Sequence, residues 1–159
     1  MQIHGLQWDS TAHLPFVTGG LTAKYLNGAS AQSPVHYGRG AVWIDVTGAD
    51  PLGAHWLDVE KGDATPARVP GWLHEKAQRL GQVGGIYCND STLPAVLDAA
   101  GGAPADLWLA TLDGTLPEGL SLPPSVRLVA VQAFGEGLVG FHADCSLVVD
   151  RGYWEAHRA

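Results

Sequence analysis

In the run Trp56-Leu57-Asp58-Val59-Glu60-Lys61-Gly62-Asp63, two carboxylates stand two residues apart in a strand-forming segment that closes on a glycine. Side chains on a strand alternate between faces, so Asp58 and Glu60 point one way while Leu57 and Val59 point the other. Carboxyls crowded on one face repel, and that repulsion drives one of them to keep its proton toward neutral pH. One acid to protonate a leaving oxygen, beside a second to support developing positive charge, is what cleavage of a glycosidic bond requires. The structural alternative is that both simply form the turn, since acidic residues before a glycine are common in loops.

The elements that must position this pair follow from the apolar pattern. Short β-branched or aromatic runs, each closed by Gly, Asp, Asn or Pro, predict strands at 3–8, 21–26, 41–46, 55–60, 85–88, 107–112, 126–133 and 142–149. Leu73, Ala77 and Leu80 share a helical face over 72–80, with Gly81 as the C-terminal cap. After the fifth strand, Ser91 caps a second helix with Pro94 in its first turn, and Leu93, Val96, Leu97 and Ala100 recur at helical spacing before Gly101-Gly102. Segments 10–20 and 28–40 are rich in Gly, Ser, Ala and Pro and hold no helical period, so loops are expected there.

Eight strands in series predict an α/β fold, a compact, partly helix-depleted eight-stranded parallel (β/α) barrel, formed by 1–159 as a single domain. Such barrels usually take about 250 residues, which keeps a five-stranded doubly wound sheet as the alternative. In a barrel, catalytic groups gather at the C-terminal ends of the strands, where Asp58 and Glu60 fall. Asp45, closing Val42-Trp43-Ile44-Asp45-Val46, either adds an acid to the same mouth or forms the turn before Thr47-Gly48.

Composition excludes several classes of function. Nine basic and sixteen acidic residues give a net charge of −7, with no basic run to follow a phosphate backbone, so nucleic acid is not an expected partner. Cys88 and Cys145, far apart in apolar strand-like contexts, read as buried free thiols. The seven histidines lack metal-ligand spacing, His142-Ala143-Asp144 being the nearest approach, and no metal or other cofactor is expected. Gly135-Glu136-Gly137-Leu138-Val139-Gly140 echoes a dinucleotide loop but leads into a strand, where no helix N-terminus receives a phosphate. There is no G-x-S-x-G elbow, no basic-then-apolar leader and no apolar window of membrane-spanning length. The expectation is synthesis in the cytoplasm without a signal peptide.

The order of the segments carries a resemblance. Trp56-Leu57-Asp58-Val59-Glu60 resembles the fourth-strand motif of the family twenty-five glycoside hydrolases, the muramidases, and of related glycoside-hydrolase-like domains of actinobacteria and their phages. Val83-Gly84-Gly85-Ile86-Tyr87 is similar to their fifth strand, Asp106-Leu107-Trp108-Leu109-Ala110 to the sixth, Val129-Ala130-Val131-Gln132 to the seventh and Ala143-Asp144-Cys145-Ser146 to the eighth-strand acidic motif. The match runs in order over roughly the last two-thirds of the chain.

The resemblance implies Glu60 as general acid, Asp58 assisting a substrate acetamido group, and Asp144 as the eighth-strand acid. It also implies Tyr87, Trp108 and Gln132 as walls of a sugar cleft; from the residues alone, the aromatics fit core packing and Gln132 fits a satisfied buried amide equally well. The front of the chain departs from the family pattern, for Gln7 follows Gly5-Leu6 where the family has an Asp. Asp9 shares the alternation parity of Gln7 but sits two residues late; with Asp45 it counts among the substrate-binding candidates. Two functions follow as expectations. One is a peptidoglycan glycosidase acting on, or binding, cell-wall glycan strands. The other is an inactive barrel serving as a structural or binding component of a phage particle, a minor tail or decoration protein in contact with other virion proteins.

Overall fold

The computed structural model describes residues 1–10, 19–33, 41–135 and 143–158. Eight strands occur in order: β1 (Gly5–Asp9), β2 (Leu21–Tyr25), β3 (Ala41–Asp45), β4 (Trp56–Val59), β5 (Gly84–Asn89), β6 (Ala105–Ala110), β7 (Val126–Phe134) and β8 (Asp144–Val148). They form a closed barrel in sequence order, so the five-stranded open sheet is excluded. Neighbours from β1 to β7 are parallel, whereas β8 runs antiparallel to both β7 and β1. The barrel is therefore mixed, which corrects the expectation of an all-parallel one. Alternation specifies the face a side chain takes and is blind to the direction of the strand that carries it.

Helices are few. A 3₁₀ turn at Pro66–Arg68 leads into α1 (Val69–Glu75), and a π-helical turn, Lys76–Leu80, continues it. The helix starts three residues ahead of the expected 72 because Pro70, with its preset φ, fits the first turn. Gly81 ends it in the left-handed region at φ 63°, the conformation that favours glycine. Helix α2 (Leu93–Ala100) closes on Gly101 as expected, but its N-cap is Thr92, without a side-chain cap bond, and not the expected Ser91, whose N–H and hydroxyl both donate to Asn89 Oδ1. A third helix, α3 (Arg151–His157), was not anticipated; the Asp150 carboxylate caps it by accepting from Tyr153 N at 2.7 Å. The stretches 11–18, 34–40 and 136–142 lie outside the described residues, and with them part of the expected early loops, most of the glycine-rich 135–140 and the first residues of the expected eighth strand.

The two faces of the strands build two cores. Outward, Leu57, Val59, Ile86, Cys88, Leu107 and Leu109 pack under Val69, Trp72 and Leu73 of α1 and Leu93 and Val96 of α2. Inward, Val42, Ile44, Trp56, Tyr87, Trp108, Ala130 and Val148 fill the barrel, with Tyr153 of α3 among them. Trp56 meets Trp108 edge-on at 5.6 Å and Tyr153 likewise at 5.6 Å. Space for the Trp56 ring comes from Gly85, where a Cβ would lie 2.6 Å from it. Cys88 and Cys145 are free and buried.

Helix α3 closes the floor, the end where the parallel strands begin. The Tyr153 hydroxyl donates to Gln7 Oε1 at 2.7 Å and accepts from Trp56 Nε1 at 3.2 Å. Tyr153→Phe deletes both bonds while keeping the ring, and strands a buried indole N–H. A loss of about 1–3 kcal/mol in denaturant unfolding is expected, with no loss if the floor carries no stability.

Candidate functional site

The opposite end is the mouth. Because β8 is antiparallel, its first residue, Asp144, lies level with the last residue of β1, Asp9, and the two are direct partners across the strand pair. Alternation sends Asp58 inward from β4, Tyr87 and Asn89 from β5 and Gln132 from β7. A cavity of about 280 Å³ opens there, lined by Tyr25, Asn27, Ser30, Asp58, Glu60, Asp63, Tyr87, Gln132 and Asp144, with Ala29, Val46 and Leu112 at its edge. Among the described residues no lysine or arginine lines it.

The sequence-derived acids Asp58, Glu60 and Asp144 thus come together, with Tyr87 and Gln132 on the same wall. Asp9 sits directly behind Asp144, buried, and its Oδ2 accepts from the Tyr25 hydroxyl at 3.1 Å. Gln7, one step down the same face, belongs to the floor with Tyr153. The first strand therefore does bring an acid to the mouth, and that acid is Asp9; the expected strand end at residue 8 stopped one residue short of it.

Two candidates lie elsewhere. Trp108 is fully buried beneath the cavity, where its Nε1 donates to Ser146 Oγ at 2.9 Å and its ring supports Tyr87 edge-on at 5.0 Å. It shapes the wall from behind and does not line it. Asp45 faces outward with Ala41 and Trp43, and its carboxylate accepts from the backbone N–H groups of Thr47, Gly48 and Asp50 and from Asn27 Nδ2. Burial alone raises its pKa, but these bonds hold it below the usual carboxylate range. Asp45 is the turn former, and it does not reach the mouth.

Electrostatics set the mouth apart. Burial, then the charges of Glu60, Asp63 and Asp9, pushes Asp58 up to about 9. Burial, then the Asp144 carboxylate, pushes Asp9 up to about 8 against the pull of the Tyr25 hydrogen bond. Glu60, half-buried at the rim, is raised by burial and by Asp63 and Asp144, opposed by a hydrogen bond from Asn89. The cluster keeps protons at neutral pH, and they belong to the group as a whole. Asp9 Oδ1, Asp58 Oδ1 and Gln132 Oε1 are buried with no partner within the protein, while Gln132 Nε2 donates to Asp144 Oδ2 at 2.9 Å. Of these residues Asp58 and Gln132 line the cavity, where an unpaired oxygen is a position for a polar group of a ligand.

Tyr25, Asn27 and Asn89 were not singled out from the sequence. Alternation along Leu21, Ala23 and Tyr25 and along Tyr87 and Asn89 carried the signal for two of them. A larger hollow, about 960 Å³, opens at the floor beside Leu52, Leu80 and Val83, but its lone acid, Asp106, is paired with Arg127 at 2.8 Å. Among the described residues no three His, Cys, Asp or Glu side chains are arranged to hold a metal, and no helix is long and apolar enough to cross a membrane.

No protein-family model matches the chain, and no curated protein matches it significantly. Among solved structures it is similar to the crystal structure of an uncharacterized B. stearothermophilus protein, with TM-score 0.65 and 16% identity over 94% of this chain and 97% of that one. At that identity the likeness speaks to the barrel fold alone.

Proposed function

We propose that this chain is a glycoside-hydrolase-like protein acting on the glycan strands of bacterial peptidoglycan, with Glu60 and Asp58 as its acid pair. The observation that carries this reading is the convergence of Asp9, Asp58, Glu60 and Asp144 at one mouth against Tyr87 and Gln132. We read the barrel as a helix-depleted relative of the (β/α)₈ type, whose reacting groups stand at the C-terminal ends of the strands. Among the described residues the lining carries the carboxyls of Asp58, Glu60, Asp63 and Asp144 and no lysine or arginine, which favours uncharged, hydroxyl-rich sugar rings over phosphorylated ligands.

The burial order of the pair suggests a sequence of events. In the free site the proton stays longest on Asp58, the deeper member. An acetamido N–H donated to Asp58 favours its carboxylate, and the proton then resides on Glu60 at the rim, within reach of the glycosidic oxygen. Asp58, now charged, steadies the acetamido group and the positive charge growing at the anomeric carbon. Tyr87 offers an aromatic edge to the ring, and Gln132 Oε1 a free acceptor for a hydroxyl.

A second reading draws on the sparse helices: a catalytically silent barrel retained as a structural or binding component of a phage particle. Incubating the purified protein with actinobacterial cell walls and measuring release of reducing ends tests between them. Release supports the glycosidase. A protein inert on every wall tested, yet stably incorporated in a larger assembly, decides for the structural component.

A further inference from the structure

Glu60 does not stand alone at the rim. Its Oε1 accepts from Asn89 Nδ2 at 3.0 Å. The other end of that amide is tied down, because Asn89 Oδ1 accepts from Ser91 N at 3.0 Å, Ser91 Oγ at 2.6 Å and Thr92 N at 3.1 Å. A backbone N–H can only donate, so two of them identify the oxygen of the amide and leave its NH₂ facing Glu60. The turn that opens α2 thereby determines what Asn89 offers the mouth. Thr92 Oγ1 lies within hydrogen-bond distance of Val59 O, at 3.1 Å, and of Asn89 O and Oδ1, both at 3.2 Å, so the same turn sits against the end of β4 beside Glu60.

A donor held against one carboxyl oxygen makes that oxygen the carbonyl-like one, since a C=O accepts better than a C–OH. We propose that Asn89 is a positioning residue for Glu60: its turn-locked amide holds Oε1 and leaves Oε2 as the oxygen that exchanges a proton with whatever occupies the mouth. The use of that proton on a glycosidic bond rests on the function proposed above; the coupling of Asn89 to Glu60 does not. The same bond opposes the upward pull of burial on Glu60, so Asn89 sets how the proton is divided between Glu60 and the deeper Asp58. The other titratable groups facing Glu60 are Asp63 from the following turn, Tyr87 and Cys88 from β5 and Asp144 from β8.

Asn89→Ser tests this without adding charge. Serine can still accept from the Thr92 N–H as a turn former, but it is too short to reach Glu60. Carboxyl-carbon NMR should show the Glu60 midpoint rising by about one pH unit in the variant. In the wild type the Asn89 side-chain NH₂ resonances should titrate with the Glu60 midpoint, a measurement that needs no variant to fold. If the protein cleaves glycan, Asn89→Ser should also lower kcat more than it raises KM and move the alkaline limb of the pH profile upward with Glu60. A Glu60 midpoint unmoved in folded Asn89→Ser, or Asn89 resonances flat while Glu60 titrates, overturns the proposal. A wild type inert on cell wall overturns the glycosidase reading instead, and leaves both NMR results to decide the role of Asn89.

Discussion

Glu60→Gln is expected to reduce the release of reducing ends from purified cell wall by two to four orders of magnitude, roughly 10²–10⁴-fold, the usual contribution of a positioned general acid. The substitution keeps the shape of the side chain and an acceptor for Asn89 Nδ2, while removing the transferable proton. Glu60 is only half-buried, so the melting temperature should shift little. The combination is what separates chemistry from folding: a large loss of rate on an unchanged melting curve. Full activity in Glu60→Gln would remove Glu60 from the mechanism and shift the role to Asp58 or Asp144.

The second large effect concerns stability and pH. Burial and then the neighbouring carboxylates push Asp58 up to about 9 in the folded protein, from an ordinary value of 3.8. A group raised on folding contributes stability that is full below its unfolded value and is lost as pH climbs through its folded value, because the folded state holds the proton longer. Wild-type stability should therefore fall from mildly acidic to mildly alkaline pH, at up to about 1.4 kcal/mol per pH unit for one proton. Asp9, raised to about 8, adds to the same trend. Asp58→Asn carries no proton to lose. Between pH 5 and pH 8 it should gain on the order of 3 kcal/mol relative to wild type, read from denaturant unfolding at the two pH values. Parallel pH dependences in the two proteins would mean that the mouth admits enough water to leave Asp58 an ordinary carboxyl.

Much of this was legible in the sequence, and the exceptions have physical causes. Short apolar runs marked all eight strands, alternation turned Asp58 toward the mouth, where Glu60 joins it from just past the end of β4, and the Gly81 and Gly101 caps closed both expected helices. Strand direction was not legible, since β8 reads the same either way, and only the closed sheet shows Asp144 meeting Asp9. The family pattern made Gln7 look like a lost acid, and reading β1 as ending at Trp8 left Asp9 outside the sheet. In the barrel Gln7 is a floor residue bonded to Tyr153, so an acid at that position would be buried on the floor, away from the mouth. Helix α3 escaped notice because two turns give too little periodicity to register, although Asp150 supplied the cap. Trp108 and Asp45 show the limit of reading roles from motifs: one packs inside the barrel, and the other satisfies a turn.

The meeting of Asp9 and Asp144 at the β1–β8 pair has a consequence for how the chain folds. These strands lie far apart in the sequence, so their contact carries the largest loop-closure cost in the barrel and is expected in the late part of folding. Until that seam zips, Asp58 and Glu60 are expected to stand in an open, hydrated groove and ionise as ordinary carboxyls. Closure dehydrates them beside two more acids, and protons must come in from solution as it happens. Refolding in weakly buffered solution near neutral pH should thus draw protons from a dissolved indicator in step with the final kinetic phase, making the acid cluster an internal timer for ring closure.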